Sequence, residues 1–299
     1  MKYAYYPGCS LDATGVEFNM SGKAVAKHLG VELWEIPDWS CCGASAAHNT
    51  NHLLALALPA RNLAMAEKEG LDVAVPCAAC FNRMKHTEHA VRESVNTKKT
   101  VQEIIEMDYQ GTSRAFNLLD ILVNQVGIET IKEKVVKPLT GLKVACYYGC
   151  LLVRPPKIAQ FDDPEDPQTM DRLVQALGGT PVSWSYKTEC CGVGHATVKP
   201  PAALPLLHRI YQNARDTGAD CLAVACPLCF LNLDMRQADV KKRRQAEYNL
   251  PVFYFTQLMG MAMGYSPKEM GISKHFVDPM PLLQSKDILR HPTTRREKA

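Results

Sequence analysis

The chain has 299 residues, 46% of them apolar and 22% charged, with a formal net charge of +3 and twelve cysteines. Composition and length suit a soluble globular protein with room for two domains, and so small a charge gives no argument for nucleic acid. No apolar run reaches the ~18–20 residues of a bilayer span, and the N-terminus lacks the apolar stretch of a secretory signal, so a cytoplasmic location is expected.

In chain order, a short strand over residues 2–7 ends in the turn Gly8-Cys9. An amphipathic helix over 14–29 closes with Leu29-Gly30, a helix-stop signal. A second strand over 31–36 runs towards Cys41-Cys42-Gly43, and a helix over 52–69 follows. The apolar triplet 73–75 reads as a buried strand leading into Cys77-Ala-Ala-Cys80, with a helix starting at that motif. Residues 97–140 read as a mostly helical connector whose apolar core is 116–123.

The order then repeats. A strand from Lys143 ends in Gly149-Cys150, and a helix over 167–177 ends in Gly178-Gly179. A strand over 181–186 leads to Cys190-Cys191-Gly192, and a helix spans 202–217. The strand 222–224 enters Cys226-Pro-Leu-Cys229, again followed by a helix. Residues 252–255 read as an extra strand with a helix behind it, and the tail 291–299 as extended chain without an apolar face.

Strand alternating with helix predicts an α/β fold of two pseudo-symmetric halves, each a small parallel sheet covered by helices. The expected domains are 1–140, with the connector, and 141–299, with the C-terminal strand, helix and tail. All the cysteine motifs follow strands, at the carboxyl edge where such sheets hold their ligands. Cys9, Cys41, Cys42, Cys77 and Cys80 are therefore expected to converge, as are Cys150, Cys190, Cys191, Cys226 and Cys229. From the adjacent pair onward, the two sets repeat at a fixed offset of 149 residues.

Disulfides are a poor explanation of these sets. The chain is too large to need staples, and a ring across one peptide bond is strained. Five thiolates per half fit iron–sulfur chemistry better than structural zinc, which takes four ligands. Copper(I) explains the number less well still. Five per half means either one unligated thiol or a cluster that is not a simple cube, and ligation by all five is the favoured reading. Gly8, Gly43, Gly149 and Gly192 suit either close approach to a bulky cluster or plain turn formation. Cys146 and Cys221 have no copies in the first half and read as small buried hydrophobes.

Tyr6-Pro-Gly-Cys9, Ser40-Cys-Cys-Gly43, Pro76-Cys-Ala-Ala-Cys80, Tyr148-Gly-Cys150, Glu189-Cys-Cys-Gly192, Cys226-Pro-Leu-Cys229 and the stretch 255–264 resemble the CCG-domain proteins. Among these, the B subunit of heterodisulfide reductase is the most similar. Gaps of 31 and 34 residues in the first copy, and of 39 and 34 in the second, match the family pattern. The resemblance implies two non-cubane 4Fe-4S clusters, each on one set of five cysteines. It also implies that a small-molecule disulfide is cleaved between them, the coenzyme M–coenzyme B heterodisulfide in methanogens and other disulfides in some bacteria. The partners it implies are a ferredoxin-like subunit, which passes electrons on, with a flavin-containing subunit upstream of it, which can bifurcate them.

An anionic disulfide calls for cations near the sets, and Arg154, Lys187, His195 and Lys199 are the candidates, with His48 and His52 placed similarly after the first pair. A competing reading keeps the metal and makes the chain an electron-transfer subunit of a dehydrogenase or quinone-linked complex. Relatives of that kind often carry ferredoxin-type cysteine runs, and none occurs here. A third reading is a structural zinc scaffold.

Overall fold

The structure is a computed structural model and describes residues 1–44, 47–196 and 198–289. Two four-stranded sheets carry the fold, and every strand pair in them is parallel. In the first, β1 (Lys2–Tyr5), β2 (Glu32–Glu35), β3 (Val73–Val75) and β4 (Ala115–Asn117) stand in the order β2-β1-β3-β4. In the second, β5 (Lys143–Tyr147), β6 (Thr180–Pro181), β7 (Cys221–Val224) and β8 (Val252–Tyr254) repeat it as β6-β5-β7-β8. The expected α/β architecture of two similar halves is therefore present.

Of the four inner strands, β3 and β7 are apolar at every position and buried throughout, as suits parallel strands covered on both faces. The helices that cover them lie close to their expected spans: Val16–His28, His52–Lys68, Thr169–Ala176 and Pro200–Asp216. Asn51 sets one start, because its side chain accepts from Leu54 N at 3.0 Å and satisfies a helix-end donor.

Two stretches differ from expectation. The connector contains β4, which pairs with β3 in the register Val73↔Ala115 to Val75↔Asn117. Three residues are too few to show a period, so their strand character comes from the open edge of β3. Asn117 fixes the end of that strand: its Nδ2 donates to Val75 O at 3.1 Å and Pro76 O at 3.3 Å, and its Oδ1 accepts from Leu119 N at 2.9 Å. The apolar run then continues as a π-helix over Ile121–Val126. The second difference is β6, which is only two residues long. Pro181 has no N–H for the ladder, and past Val182 the chain turns so that Trp184 Nε1 donates to Cys146 O at 3.0 Å. The expected tail 291–299 lies outside the described residues.

The halves share one core. Phe18 of the first half stacks on Tyr254 of the second at 4.2 Å between ring centroids, and Tyr254 stacks on Phe230 at 4.2 Å. Ser21 Oγ meets Thr256 Oγ1 at 2.7 Å across the same seam. The sheets' carboxyl edges, and the cysteine motifs on them, are thereby held against one another.

Candidate metal centres

The lone cysteines and the Cys-x-x-Cys motifs sit just past the ends of parallel strands, and the Cys-Cys pairs lie in the longer loops after β2 and β6. Cys9 follows β1 in the one-turn helix Gly8–Asp12, and Cys150 follows β5 in a turn. Cys41-Cys42 and Cys190-Cys191 lie beyond β2 and β6. Cys77 and Cys226 directly precede the helices Ala78–Glu93 and Pro227–Met235, whose first turns hold Cys80 and Cys229. A helix N-terminus favours negative charge, yet neighbouring thiols and burial raise Cys77, Cys80 and Cys229, and of these four only Cys226 is lowered.

All twelve cysteines are free thiols. Cys42 Sγ and Cys80 Sγ are 3.0 Å apart, and the copied pair Cys191 Sγ and Cys229 Sγ are 3.6 Å apart. Cys41 and Cys42, Cys77 and Cys80, Cys150 and Cys190, and Cys226 and Cys229 are also close enough to shift each other's acidity. The two sets also approach each other at Cys77 and Cys226, each of which shifts the other's acidity. Among the described residues, no three or more Cys, His, Asp or Glu side chains surround a single-ion position.

Crowding of thiols splits their acidities. Cys42 is pulled well below the ordinary thiol range because Cys41 and Cys80 both hydrogen-bond to it. Cys190 is drawn down to about 6, first by Cys150 and further by the Gly192 N–H and by His195. Their hydrogen-bonding neighbours Cys41, Cys80 and Cys150 are pushed up in return. A group of thiols in which some already favour the anionic form suits a soft metal, which binds thiolate.

The glycines of the Cys-Cys-Gly motifs have a backbone reason. Gly43 and Gly192 adopt φ of +72° and +76°, in the left-handed region, and their N–H groups donate to Cys41 Sγ at 3.4 Å and Cys190 Sγ at 3.3 Å. Gly8 and Gly149 are also left-handed, and a Cβ there would lie 3.4 Å from Cys80 Sγ and 3.2 Å from Cys229 Sγ. That closeness brings the backbone of each lone-cysteine turn up to the Cys-x-x-Cys of its own half.

Two tyrosines that do not stand out in the sequence organise the sets. Tyr6 donates from its hydroxyl to Ser40 O at 2.8 Å, and Tyr147 to Glu189 O at 2.5 Å. Ser40 and Glu189 each immediately precede a Cys-Cys pair, so each tyrosine ties the lone-cysteine turn to the pair. Burial raises both hydroxyls, and four cysteines of the same half raise them further: Cys80, Cys42, Cys41 and Cys9 around Tyr6, and Cys229, Cys191, Cys150 and Cys190 around Tyr147. Their shared position, three residues before the lone cysteine in both halves, is the signal that could have marked them.

The candidate cations are placed unevenly. Lys187 is buried, and its Nζ meets Asp166 Oδ1 at 2.8 Å, Asp171 Oδ1 at 3.1 Å and Pro167 O at 2.9 Å, which uses all three of its protons. Arg154 donates to Pro164 O, Glu165 Oε2 and Thr188 Oγ1 and so braces the loop ahead of the helix Thr169–Ala176. Lys199, His48 and His52 are exposed. His195 is exposed too and lies near enough to lower Cys190. Arg83, three residues after Cys80, is half-buried and faces Cys42. Its i+3 spacing on the same helix face was a legible signal. Cys146 and Cys221 are fully buried within β5 and β7.

A duplicated α/β protein with thiol-lined strand ends is the class that this fold and site define. The CCG cysteine-rich domain family matches residues 3–85 and 144–234, and the chain belongs to it. It is similar to the 8-methylmenaquinol:fumarate reductase membrane anchor subunit of Wolinella succinogenes, with 35% identity covering 93% of this chain and 97% of that protein. It is also similar to the B subunit of the ferredoxin/F420H2-dependent CoB-CoM heterodisulfide reductase of Methanosarcina acetivorans, with 30% identity covering 94% and 96%. An Archaeoglobus profundus protein named for its likeness to the heterodisulfide reductase B subunit is 26% identical over 90% of this chain and 93% of its own. In fold, the chain resembles the crystal structure of a hypothetical protein from Helicobacter pylori, with a TM-score of 0.73 at 14% identity. It covers 93% of this chain and about half, 52%, of that one. Among the described residues, no helix is long and apolar enough to cross a membrane.

Proposed function

We propose that the chain is the iron–sulfur subunit of an oxidoreductase complex in the cytoplasm and that it reduces a small-molecule disulfide to two thiols between its two cysteine sets. The observation that carries this reading is the meeting of the sets at Cys77 and Cys226. Ligands for two redox centres then lie side by side, so that one two-electron acceptor draws on both. We assign Cys9, Cys41, Cys42, Cys77 and Cys80 to one four-iron cluster, and Cys150, Cys190, Cys191, Cys226 and Cys229 to the other, both of the non-cubane kind. When bound, the clusters supply one electron each to the sulfur–sulfur bond.

The chain's own residues hold this arrangement. Tyr6 and Tyr147 lock the lone-cysteine turns to the Cys-Cys pairs, while Gly43 and Gly192 present N–H groups to Cys41 and Cys190. The anionic ends of a disulfide would meet Arg83 beside the first set and His195 beside the second. Lys187 braces the second half with all three of its donors taken, and Arg154 braces it through Pro164, Glu165 and Thr188. The electron donor is a ferredoxin-like subunit fed by a flavin-containing one.

The name of the Wolinella succinogenes relative favours a second reading, in which the same centres pass electrons between a quinol and a partner protein. Anaerobic purification with iron and sulfide analysis comes first: about eight of each per chain supports both redox readings, and zinc without sulfide refutes both. Electron paramagnetic resonance of the reduced protein then separates them. A disulfide that alters the cluster signals supports disulfide reduction, and signals moved only by a quinone analogue support the second reading. Arg83→Ala should raise the KM for an anionic disulfide more than it lowers kcat, and an unchanged KM removes Arg83 from the site.

A further inference from the structure

Close to Cys77 and Cys226 lies a buried group of proton-carrying side chains that the site has not used. Tyr254 is fully buried, and its hydroxyl has no hydrogen-bond partner of ordinary geometry. It lies under the turn at Gly15, where an added Cβ would stand 3.3 Å from Tyr254 Oη and 3.1 Å from Pro227 Cβ, beside Cys226. On the other side it faces the carboxyl of Glu17, in the first turn of the helix Val16–His28, whose residue is only 3% exposed. Asp234, from the helix Pro227–Met235, faces Glu17 as well, and Lys274, on the exposed segment after Gly271, is its one facing cation among the described residues. A carboxyl in a first helical turn is favourable on the surface. Burying it beside an unpartnered hydroxyl costs free energy, and packing gains nothing from that polarity.

We propose that Glu17 and Tyr254 are a proton-transfer pair that delivers to the Cys77–Cys226 junction the protons consumed when the site is reduced, an inference that rests on the redox reading above. Breaking one disulfide takes up two electrons and two protons and forms two S–H bonds. The two electrons come one from each of the two iron–sulfur centres of the reading above. Each proton passes from the Glu17 carboxyl to Tyr254 Oη while the Tyr254 O–H proton moves inward, and Glu17 is recharged from solvent past Lys274. Burial raises the Glu17 carboxyl above its ordinary range, against the pull of its own N–H, of Lys274 and of the Tyr254 hydroxyl. Negative charge added at the junction raises it further, which couples reduction to proton uptake.

The test is a redox titration of the anaerobic holoprotein, without any disulfide, in which the midpoint potential of the clusters is followed by electron paramagnetic resonance across neutral pH. The wild-type potential should fall as pH rises. Glu17→Gln should flatten that slope without changing the signal shape, Glu17→Asp should restore part of it, and Tyr254→Phe should flatten it as Glu17→Gln does. A wild-type potential independent of pH overturns the proposal without any variant, as does a wild-type slope retained in Glu17→Gln. If Glu17→Gln does not assemble clusters, Tyr254→Phe decides by the same criterion. An incorrect choice of disulfide leaves this titration untouched, whereas a chain without redox-active iron overturns both proposals.

Discussion

Replacing Gly192 by alanine isolates what the Cys-Cys-Gly motif contributes. Gly192 has φ of +76°, and an added Cβ would lie 2.9 Å from Leu206 Cδ1, 3.2 Å from Ala203 Cα and 3.2 Å from Ala203 Cβ. Leu206 Cδ1 is the end of a flexible side chain and can move. Ala203 Cα belongs to the 17-residue helix Pro200–Asp216 and cannot shift without it. The left-handed backbone alone costs about 1–2 kcal/mol for a residue with a Cβ, and overpacking against a helix adds about 1–3 kcal/mol. Gly218→Ala is the internal control, because Gly218 has φ of +73° with nothing within 4 Å of the added Cβ. Gly192→Ala should therefore cost about 2–5 kcal/mol against about 1–2 kcal/mol for Gly218→Ala, read by urea denaturation of protein prepared without air. Because the Gly192 N–H also donates to Cys190 Sγ, Gly192→Ala should lose metal from the second set, and iron per chain should fall by about half. Equal stability of the two variants would refute the steric argument, and undiminished iron would refute the link from this glycine to the centre.

Burial raises Asp234 from 3.8 to about 6, so the folded carboxyl binds its proton more tightly than the unfolded one. Its contribution is full below about pH 4 and is lost as pH rises through about 6, roughly 3 kcal/mol in all; Asp234→Asn should flatten the fall in stability over that interval, and an unaltered pH profile would count against it. Lys187→Met strands Asp171 and should cost about 3–5 kcal/mol, with much of the loss recovered in the double variant with Asp171→Leu; a neutral single variant would show that the buried pair does not act as drawn. Cys146→Ala and Cys221→Ala should keep their full iron content, whereas Cys226→Ala should lose iron from the second set, and iron loss in Cys221→Ala would break the division between ligand and core cysteines.

Much of the fold is legible in order and spacing. Apolar triplets such as 73–75 and 222–224, flanked by helical periods, mark buried parallel strands, because the chain must cover both faces of such a strand. The expected convergence of the cysteines followed from the same topology, since motifs after parallel strands share one edge. β4 was not legible: the residues Ala115–Asn117 carry no strand pattern of their own, and they pair because β3 offers an unfilled edge. The two-residue β6 was overread for a related reason, since apolar residues after Pro181 turn to pack against β5 rather than extend the ladder.

The sequence by itself determined the duplication, the number and grouping of the thiols and the strand ends that carry them, because these depend on neighbours a few residues apart. Only the tertiary structure decided which charges remain free, that Tyr6 and Tyr147 fasten the two cysteine sets, and that Glu17 and Tyr254 lie buried close to Cys77 and Cys226. Those outcomes depend on which side chains meet across long separations in the chain, and burial and pairing belong to the packed assembly rather than to any local stretch.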